Sequence, residues 1–288
     1  MNNYLHFCHF LRIGGCFMEN FLIHLRELLS TTSEMPLPMG TLHISSLVAL
    51  AVALIIFVPI FCRAKDKTAR AICFIFWLVL VVLELGKQFA AATSVEDGKL
   101  IFDYSLGALP LHICSSPFYV LPIFFLAKKD FIKKVSAAFM CTFSLIGGFA
   151  VMAFPESVFG EQMYTNAQSM IHHSLQIVAG VCLGLRYGKR FDKDSFVGAV
   201  AIFLNLAAVA LAANLITHDY FVKNGISSEL NMFFISPYVR FIPPVLSGLG
   251  IEDMPYLAYL FSFLAIFILI AFILSLAFKL ISRALIKK

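Results

Sequence analysis

The chain of 288 residues is 60% hydrophobic and only 14% charged, with a mean hydropathy of +0.88. A soluble domain is about half apolar and about a quarter charged, so this composition excludes a water-soluble enzyme. The 31 Phe exclude a disordered chain, the 7 Cys are too few for a disulfide-built scaffold, and the net charge of +5 indicates membrane topology rather than binding to nucleic acid.

Residues 1–35 are predicted to form an N-terminal segment on the outer side of the membrane. The segment has no pattern of a cleavable signal peptide. Because the predicted helix at about 18–30 follows Met18 directly, Met18 is an alternative to Met1 as the start of the protein. This helix is predicted to lie at the membrane interface, since one of its faces is apolar and formed by Phe21, Leu22, Leu25, Leu28 and Leu29.

Residues 36–288 are predicted to form a single all-α domain, a polytopic membrane protein with seven transmembrane helices. A helix needs about 20 mostly apolar residues to cross the hydrocarbon core of a bilayer. Seven stretches satisfy this requirement: 41–62, 70–93, 108–127, 132–154, 166–187, 195–216 and 256–280.

The basic residues predict the orientation of these spans. Sixteen of the 22 Lys and Arg lie in alternate connections or after the last span. Short loops rich in Lys and Arg stay on the cytoplasmic side, so we expect the N-terminus outside and the C-terminus in the cytoplasm of a multi-pass cell-membrane protein. The sixteen are Arg63, Lys65, Lys67, Arg70, Lys128, Lys129, Lys133, Lys134, Arg186, Lys189, Arg190, Lys193, Lys279, Arg283, Lys287 and Lys288.

The connection between the sixth and seventh spans, 217–255, is too long for a plain loop and too apolar to be solvated. We expect a short helix or re-entrant segment that caps the outer mouth of the bundle. Its apolar residues include Phe233, Phe234, Ile235, Pro243 and Pro244.

Polar side chains inside the spans predict an outer-half cavity. A charge in mid-membrane costs about 2.5–3.5 kcal/mol on insertion scales, so a chain that keeps such groups usually uses them. Apart from Asn205, those found here fall in the half of the membrane assigned to the outside. The candidates are His43, Glu84, Lys87, Gln88, His112, Cys114, Ser115, Ser116, Asn166, Gln168, His172, His173, Gln176 and Asn214, to which Asn231 is added from the capping segment.

Several of these residues have more than one interpretation. Glu84 and Lys87 are three residues apart, so they form either a structural ion pair or a site carboxylate with its partner. His172 and His173 point about 100° apart on a helix, so we expect one of them to face a given cavity centre. A thiol near an imidazole can ionise and accept an acyl group, which makes Cys114 a candidate nucleophile beside the alternative of a small buried hydrophobe. Neither a metal nor a cofactor is predicted.

The stretch Leu109-Pro110-Leu111-His112-Ile113-Cys114 resembles the Leu-Pro-Leu-His-Leu-Cys element of the bacterial YwaF-type integral membrane proteins. Further matches follow in order along about 18–285, with Ser115 where the family commonly has Asp and Ser174 where it has Gly. In the family's Gln-Phe-Phe-x-x-His-Gly element the His follows the Gln by five residues. The resemblance therefore selects His173, five residues after Gln168, over His172. The other matching positions are His43, Glu84, Lys87, Gln88, Gln168, Asn214 and Asn231.

This family is similar to the eukaryotic transmembrane protein 164, an ether-phospholipid acyltransferase that uses a Cys and a His. The resemblance implies that Cys114 accepts the acyl group, that His173 is the general base, and that a membrane lipid is the substrate. His112 or Asn214 would donate a hydrogen bond to the developing oxyanion. A transporter or ligand-binding protein using the same polar cavity, a zinc-dependent heptahelical hydrolase and a seven-span receptor are the alternatives, and the sequence leaves open whether any catalysis occurs.

Overall fold

A computed structural model describes residues 18–224, 230–241 and 251–286, which are mostly helical. Residues 1–17 of the predicted N-terminal segment, and Pro243 and Pro244 of the predicted capping segment, lie outside these residues.

The helices are named in chain order. They are α1 (18–29), α2 (Thr41–Arg63), α3 (Asp66–Ala92), α4 (Pro117–Leu126), α5 (Asp130–Phe139), α6 (Leu145–Ala153), α7 (Met163–Tyr187), α8 (Lys193–Lys223) and α9 (Tyr256–Ile286). A π-helical turn, Met140–Ser144, joins α5 to α6. α8 therefore continues seven residues beyond the predicted end of the sixth span.

Five spans are long and apolar enough to cross a membrane, by length and composition. They are α2, α3, the continuous unit Asp130–Ala153, α8 and α9. The other two predicted spans coincide with α7 and with a shorter apolar segment, Ile113–Leu126. The membrane protein class follows from these helices, while the count of seven stays a prediction.

A small antiparallel hairpin interrupts the all-α architecture that the sequence predicts. β1 (Thr93–Glu96) pairs with β2 (Lys99–Phe102), with Thr93 opposite Phe102. Asp97 and Gly98 form the turn and both have positive φ, 50° and 72°, as Asp-Gly hairpin turns require. The signal was present in the sequence, since Asp-Gly between two short stretches that contain β-branched residues, Thr93 and Val95 before it and Ile101 after it, is a local hairpin pattern.

Helix α7 lies at the centre of the bundle and packs against α2, α3, α5, α6 and α9. Small residues allow α7 to approach these neighbours closely. A Cβ atom at Gly180 would lie 2.7 Å from the carbonyl oxygen of Met140, in the π-helical turn. Glycine is therefore needed where these two backbones meet, as small residues are at many membrane helix contacts. A π-helical turn also releases a backbone carbonyl from the regular hydrogen-bond pattern of the α-helix.

Ion pairs connect the helix ends at the end of the bundle where basic residues concentrate. Lys133 contacts Asp66 at 2.7 Å and Lys134 contacts Asp192 at 2.5 Å, and Arg190 pairs with Asp130. Asp192 also begins α8 as a capping box with Ser195, which satisfies two backbone N–H groups at the helix start.

Part of the predicted capping segment packs into the bundle near the end of α8. Residues 217–223 are helical, and Met232–Phe234 forms a 3-10 turn whose Met232 and Phe233 are buried. Backbone strain accompanies this turn, because Phe233 and Phe234 have φ of 61° and 59°. The helix α1, predicted to be interfacial, leaves Met18, Phe21 and Leu28 exposed, and the side chain of Arg26 donates a 2.5 Å hydrogen bond to the carbonyl of Thr93 in β1.

Candidate functional site

Gln88 connects α3 to the loop that leads into the Cys114 segment. Its side-chain nitrogen donates to Glu84 Oε1 at 2.6 Å and to the Ala108 carbonyl at 2.7 Å. Its side-chain oxygen accepts a 2.6 Å hydrogen bond from the hydroxyl of Tyr104. Burial and the nearby Glu84 carboxylate raise the pKa of Tyr104, so this hydroxyl keeps its proton and stays a donor. The polar patch of α3 therefore fixes the chain just before His112.

Glu84 and Lys87 form an ion pair with the Lys87 Nζ 2.8 Å from Glu84 Oε1. Glu84 is buried, so its charge is compensated by Lys87 and by the amide of Gln88. Of the two interpretations of this pair, the geometry favours the structural one for Glu84. The Lys87 ammonium still interacts electrostatically with the side chains of the site: Cys114, His112, His172 and His173.

Cys114 lies in a 3-10 turn, Ile113–Ser115, directly before α4. It is partly exposed while Ile113 and Ser115 beside it are buried. The turn approaches α6 closely, because a Cβ atom at Gly147 would lie 3.2 Å from the Ile113 side chain and 3.4 Å from the Cys114 nitrogen. The thiol is thus carried by a short turn that packs against α6.

His172 holds the main chain of this turn. Its Nε2 donates a 2.9 Å hydrogen bond to the carbonyl oxygen of Cys114. Because a carbonyl can only accept, Nε2 carries the proton and Nδ1 carries the lone pair. That Nδ1 is buried without a hydrogen-bond partner among the described residues. The ring also packs edge-on against Phe118.

His173 is held in the opposite tautomer. Its Nδ1 donates to the Ser169 carbonyl at 2.6 Å, one helical turn back along α7. Its Nε2 is therefore an acceptor, and it is buried with no hydrogen-bond partner within the described ranges, the Cys114 thiol included. The rings of His172 and His173 are 5.2 Å apart between centroids. Two neutral imidazoles beside the Cys114 turn each keep one free lone pair, the form a general base needs.

His112 adds a third imidazole at the edge of this cluster. Its Nδ1 is buried and unpaired among the described residues, and its ring lies 5.6 Å from that of Phe234. The capping segment therefore contacts the Cys114 turn through Phe234. We refer to Cys114, His112, His172 and His173 together as the Cys–His cluster.

Three other predicted residues bind backbone groups of other segments. His43 accepts from the Met39 N–H at 3.0 Å and donates to the Met152 carbonyl at 2.9 Å, which ties α2 to α6. Asn214 binds both the carbonyl and the N–H of Met232, at 2.9 and 2.8 Å. Asn231 accepts from the N–H of Ser236. Asn214, offered as an oxyanion donor by the acyl-transfer hypothesis, thus already spends one of its two amide N–H groups and its amide oxygen on the capping segment.

Gln168 is buried on α7 and shares the face of His172, as its spacing predicts. The related position Gln176 is fully buried and donates to the Ser144 carbonyl at 2.7 Å, at the end of the π-helical turn. Its Oε1 is unpaired within the described part of the chain. α7 therefore uses one polar face to bind both the Cys114 turn and the irregular turn of the fourth predicted span.

Sequence analysis missed three residues that position this cluster. Ser169 fixes the tautomer of His173, and the signal was its place four residues before that histidine. Tyr104 had no signal, because it lies in a loop and reaches Gln88 only in the folded chain. Gly147 belongs to a Gly-Gly pair within a span, which is the composition of a close helix contact.

A family model described as the TMEM164 family matches residues 38–276. That range contains the Cys–His cluster, Glu84, Lys87 and Gln88. No curated protein and no solved structure matches the chain.

Proposed function

The chain belongs to the TMEM164 family, and we propose that it is a membrane enzyme that transfers or hydrolyses the acyl groups of lipids through Cys114 and His173. The observation that carries the proposal is the His173 ring, whose Nδ1 is fixed by Ser169 and whose Nε2 lone pair is buried and free. A buried imidazole nitrogen that accepts no hydrogen bond lowers the stability of the fold, so its presence calls for a functional explanation. His173 follows His172, which binds the Cys114 carbonyl, so the task that we propose for its free nitrogen is abstraction of the Cys114 thiol proton.

The proposal includes the topology of the chain. Seven spans are counted when α7 and Ile113–Leu126 join the five apolar helices. The Lys and Arg pattern then places the N-terminus outside and the C-terminus in the cytoplasm of the cell membrane. In this orientation the Cys–His cluster lies in the outer half of the bilayer, and the exposed face of α1 rests on the outer leaflet.

Acyl transfer begins with loss of the thiol proton. His173 Nε2 takes the proton from Cys114, and the thiolate attacks the ester carbonyl of a membrane lipid. The new carbon–sulfur bond forms a tetrahedral oxyanion, which collapses as the bond to the lipid oxygen breaks. The imidazolium of His173 returns its proton to that oxygen, leaving a thioester on Cys114 and a lyso-lipid.

The second half reverses these roles. The hydroxyl of a second lyso-lipid, or water, gives its proton to His173 Nε2 and attacks the thioester carbonyl. Collapse releases the acylated lipid or a fatty acid, and the sulfur recovers its proton from His173. His172 acts through the Cys114 carbonyl as a positioning residue, and the Lys87 charge favours the anionic forms of this sequence.

The thiol and His173 Nε2 are not hydrogen-bonded to each other in this structure. Catalytic hydrogen bonds are often long without substrate and tighten in the substrate complex. Cys114 lies in the turn Ile113–Ser115, before α4. A rotation of its side chain changes the position of the sulfur without moving α4.

The transporter alternative receives less support from the geometry. A polar pathway for solutes needs charges that are free to face it. The Glu84 carboxylate is instead paired with Lys87 at 2.8 Å and accepts a hydrogen bond from Gln88.

Acyl transfer by purified protein in lipid nanodiscs tests the proposal. The donor is a phospholipid with a labelled acyl chain, and the acceptor is a lyso-phospholipid. Cys114→Ala should abolish transfer, and Cys114→Ser should lower it strongly while keeping the shape of the turn. Cys62→Ala is the matched control, because Cys62 is exposed at the far end of α2 and its removal should leave turnover unchanged. Unchanged transfer by a folded Cys114→Ala protein would refute the thiol route.

A further inference from the structure

A pocket of about 280 Å³ lies between the start of α8 and the last part of α9, at the end of the bundle where basic residues concentrate. This is the end opposite the Cys–His cluster along α8 and α9, so the pocket is independent of the proposed reaction. The lining residues used below are Asp192, Lys193, Phe196, Phe272, Leu276 and Lys279.

The charge of the pocket is positive. Lys193 comes from α8 and Lys279 from α9, so two ammonium groups from different helices line the same space. Neither forms an ion pair within 18–224, 230–241 and 251–286. The one carboxylate, Asp192, is already bound by Lys134 at 2.5 Å and by the Ser195 N–H at 2.8 Å. An anion entering the pocket would therefore meet two free cations and a neutralised acid.

The remaining wall is apolar. Phe196 and Phe272 pack edge to face with ring centroids 5.6 Å apart, and Leu276 lies one turn further along α9. Phe272 and Leu276 are exposed on the surface of α9, a helix apolar enough to cross a membrane. The apolar side of the pocket therefore continues into the zone of lipid tails.

The volume limits what can bind. Pockets for whole small ligands hold roughly 300–1,000 Å³, and this one is at the lower limit. It has space for a phosphate-bearing headgroup and the first methylenes of a chain, while the rest of the tail would lie along α9 in the bilayer. Basic pockets between membrane helices bind anionic headgroups in this manner.

We propose that Lys193 and Lys279 hold the phosphate of one anionic phospholipid, with its glycerol end against Phe196, Phe272 and Leu276. Charge complementarity selects an anionic over a zwitterionic lipid, because the quaternary amine of phosphatidylcholine would face the two ammonium groups. The bound lipid would join α8 to α9 at this end of the bundle.

Native mass spectrometry of the full chain tests this site. The detergent-purified protein is titrated with phosphatidylglycerol or phosphatidylcholine of identical acyl chains. Wild type should bind one phosphatidylglycerol at least about tenfold more tightly than phosphatidylcholine. The double variant Lys193→Gln/Lys279→Gln should lose this preference. The control Lys65→Gln/Lys67→Gln removes the same charge from exposed positions at the start of α3 and should change the affinity less than twofold.

A third variant, Leu276→Trp, fills the apolar side and keeps both charges, so it should also weaken phosphatidylglycerol binding. It keeps the test decisive should the double variant not fold. Equal binding of the two lipids by wild type would overturn the proposal, as would equal losses in the pocket and control variants. Displacement of the lipid by millimolar inorganic phosphate would also overturn it, because the site would then recognise a free anion.

Discussion

Two sets of buried polar side chains differ in how far their hydrogen bonds are used. At the rim, His43 binds two backbone groups that join α2 to α6, and Asn214 binds both backbone atoms of Met232. Around Cys114, His172 and His173 each make one firm backbone hydrogen bond and keep the other ring nitrogen free. Complete pairing stabilises a fold, whereas a buried free acceptor lowers stability and has to be explained by chemistry. The contrast distinguishes the residues that hold the structure together from the histidines that we propose to be reactive.

The largest expected effect is the loss of acyl transfer when the His173 imidazole is removed. His173→Ala should lower acyl transfer by about 10²–10⁴-fold, the usual contribution of a general base. Its stability should fall by about 1–3 kcal/mol, because truncation of the buried ring leaves a cavity, while removal of a buried unpaired nitrogen offsets the lost hydrogen bond to Ser169. Turnover in nanodiscs and the unfolding midpoint of the same preparation measure both quantities. A large loss of stability with normal turnover would place His173 among the structural residues.

Asn214→Leu tests the residues whose hydrogen bonds hold the fold together. The substitution leaves the N–H and carbonyl of Met232 buried and unpaired, so it should destabilise the protein by about 2–4 kcal/mol. Detergent-resolved unfolding of the variant and of wild type gives the difference. Asn205→Leu is the matched control, since Asn205 lies on the same helix, is exposed and bonds only within α8. Molecules of the Asn214 variant that remain folded should keep their chemical step.

Removal of His172 is expected to lower turnover less than removal of His173 does. His172→Ala releases the Cys114 carbonyl and should lower turnover by about 10–100-fold, as a misplaced reacting group does. His172→Gln can still donate a hydrogen bond from a similar position and should recover most of the activity. Rescue by Gln, with an unchanged pH profile, would distinguish positioning from proton transfer. Failure of Gln combined with a shifted profile would make His172 the base in place of His173.

The smallest effect lies at the basic end of the bundle, where the pairs are exposed. The hydrogen bond from Lys134, followed by that from the Ser195 N–H, lowers the pKa of Asp192 to about 2. The stabilisation is therefore present above the unfolded pKa of about 4 and is lost as the pH falls towards 2. Because 47% of the side chain is exposed, Asp192→Asn should cost only about 0.5–1 kcal/mol at neutral pH. Unfolding of both proteins should show this difference shrinking between pH 5 and pH 2, and a constant difference would contradict it.

The sequence predicted most helices because continuous apolar runs mark them without tertiary information. It placed the boundaries of α2, α3 and the unit Asp130–Ala153 within a few residues. The hairpin of β1 and β2 was missed because its ten residues, 93–102, contain no long apolar run, although Asp97-Gly98 signalled it. The end of α8 was misplaced because polar residues such as His218 and Asp219 do not stop a helix that leaves the membrane.

The candidate site was predicted less completely. Spacing showed that His172 and His173 point in different directions, but not that one would bind the Cys114 carbonyl and the other the Ser169 carbonyl. Those bonds depend on how the turn Ile113–Ser115 packs between α6 and α7, which is a tertiary property. His43 and Asn214 also matched the family pattern, mainly through their order along the chain. Only their completed hydrogen bonds show that they hold the structure together.

The most direct test of the account is to map the acylated residue during turnover. Protein in vesicles is given a lipid with a labelled acyl chain, stopped rapidly by acid and digested, and the peptides that contain cysteine are weighed. The account predicts one acyl group on Cys114, removed by neutral hydroxylamine as a thioester is, and strongly reduced in His173→Ala. Continued acyl transfer with no label on Cys114, or with the label on another residue, would contradict it.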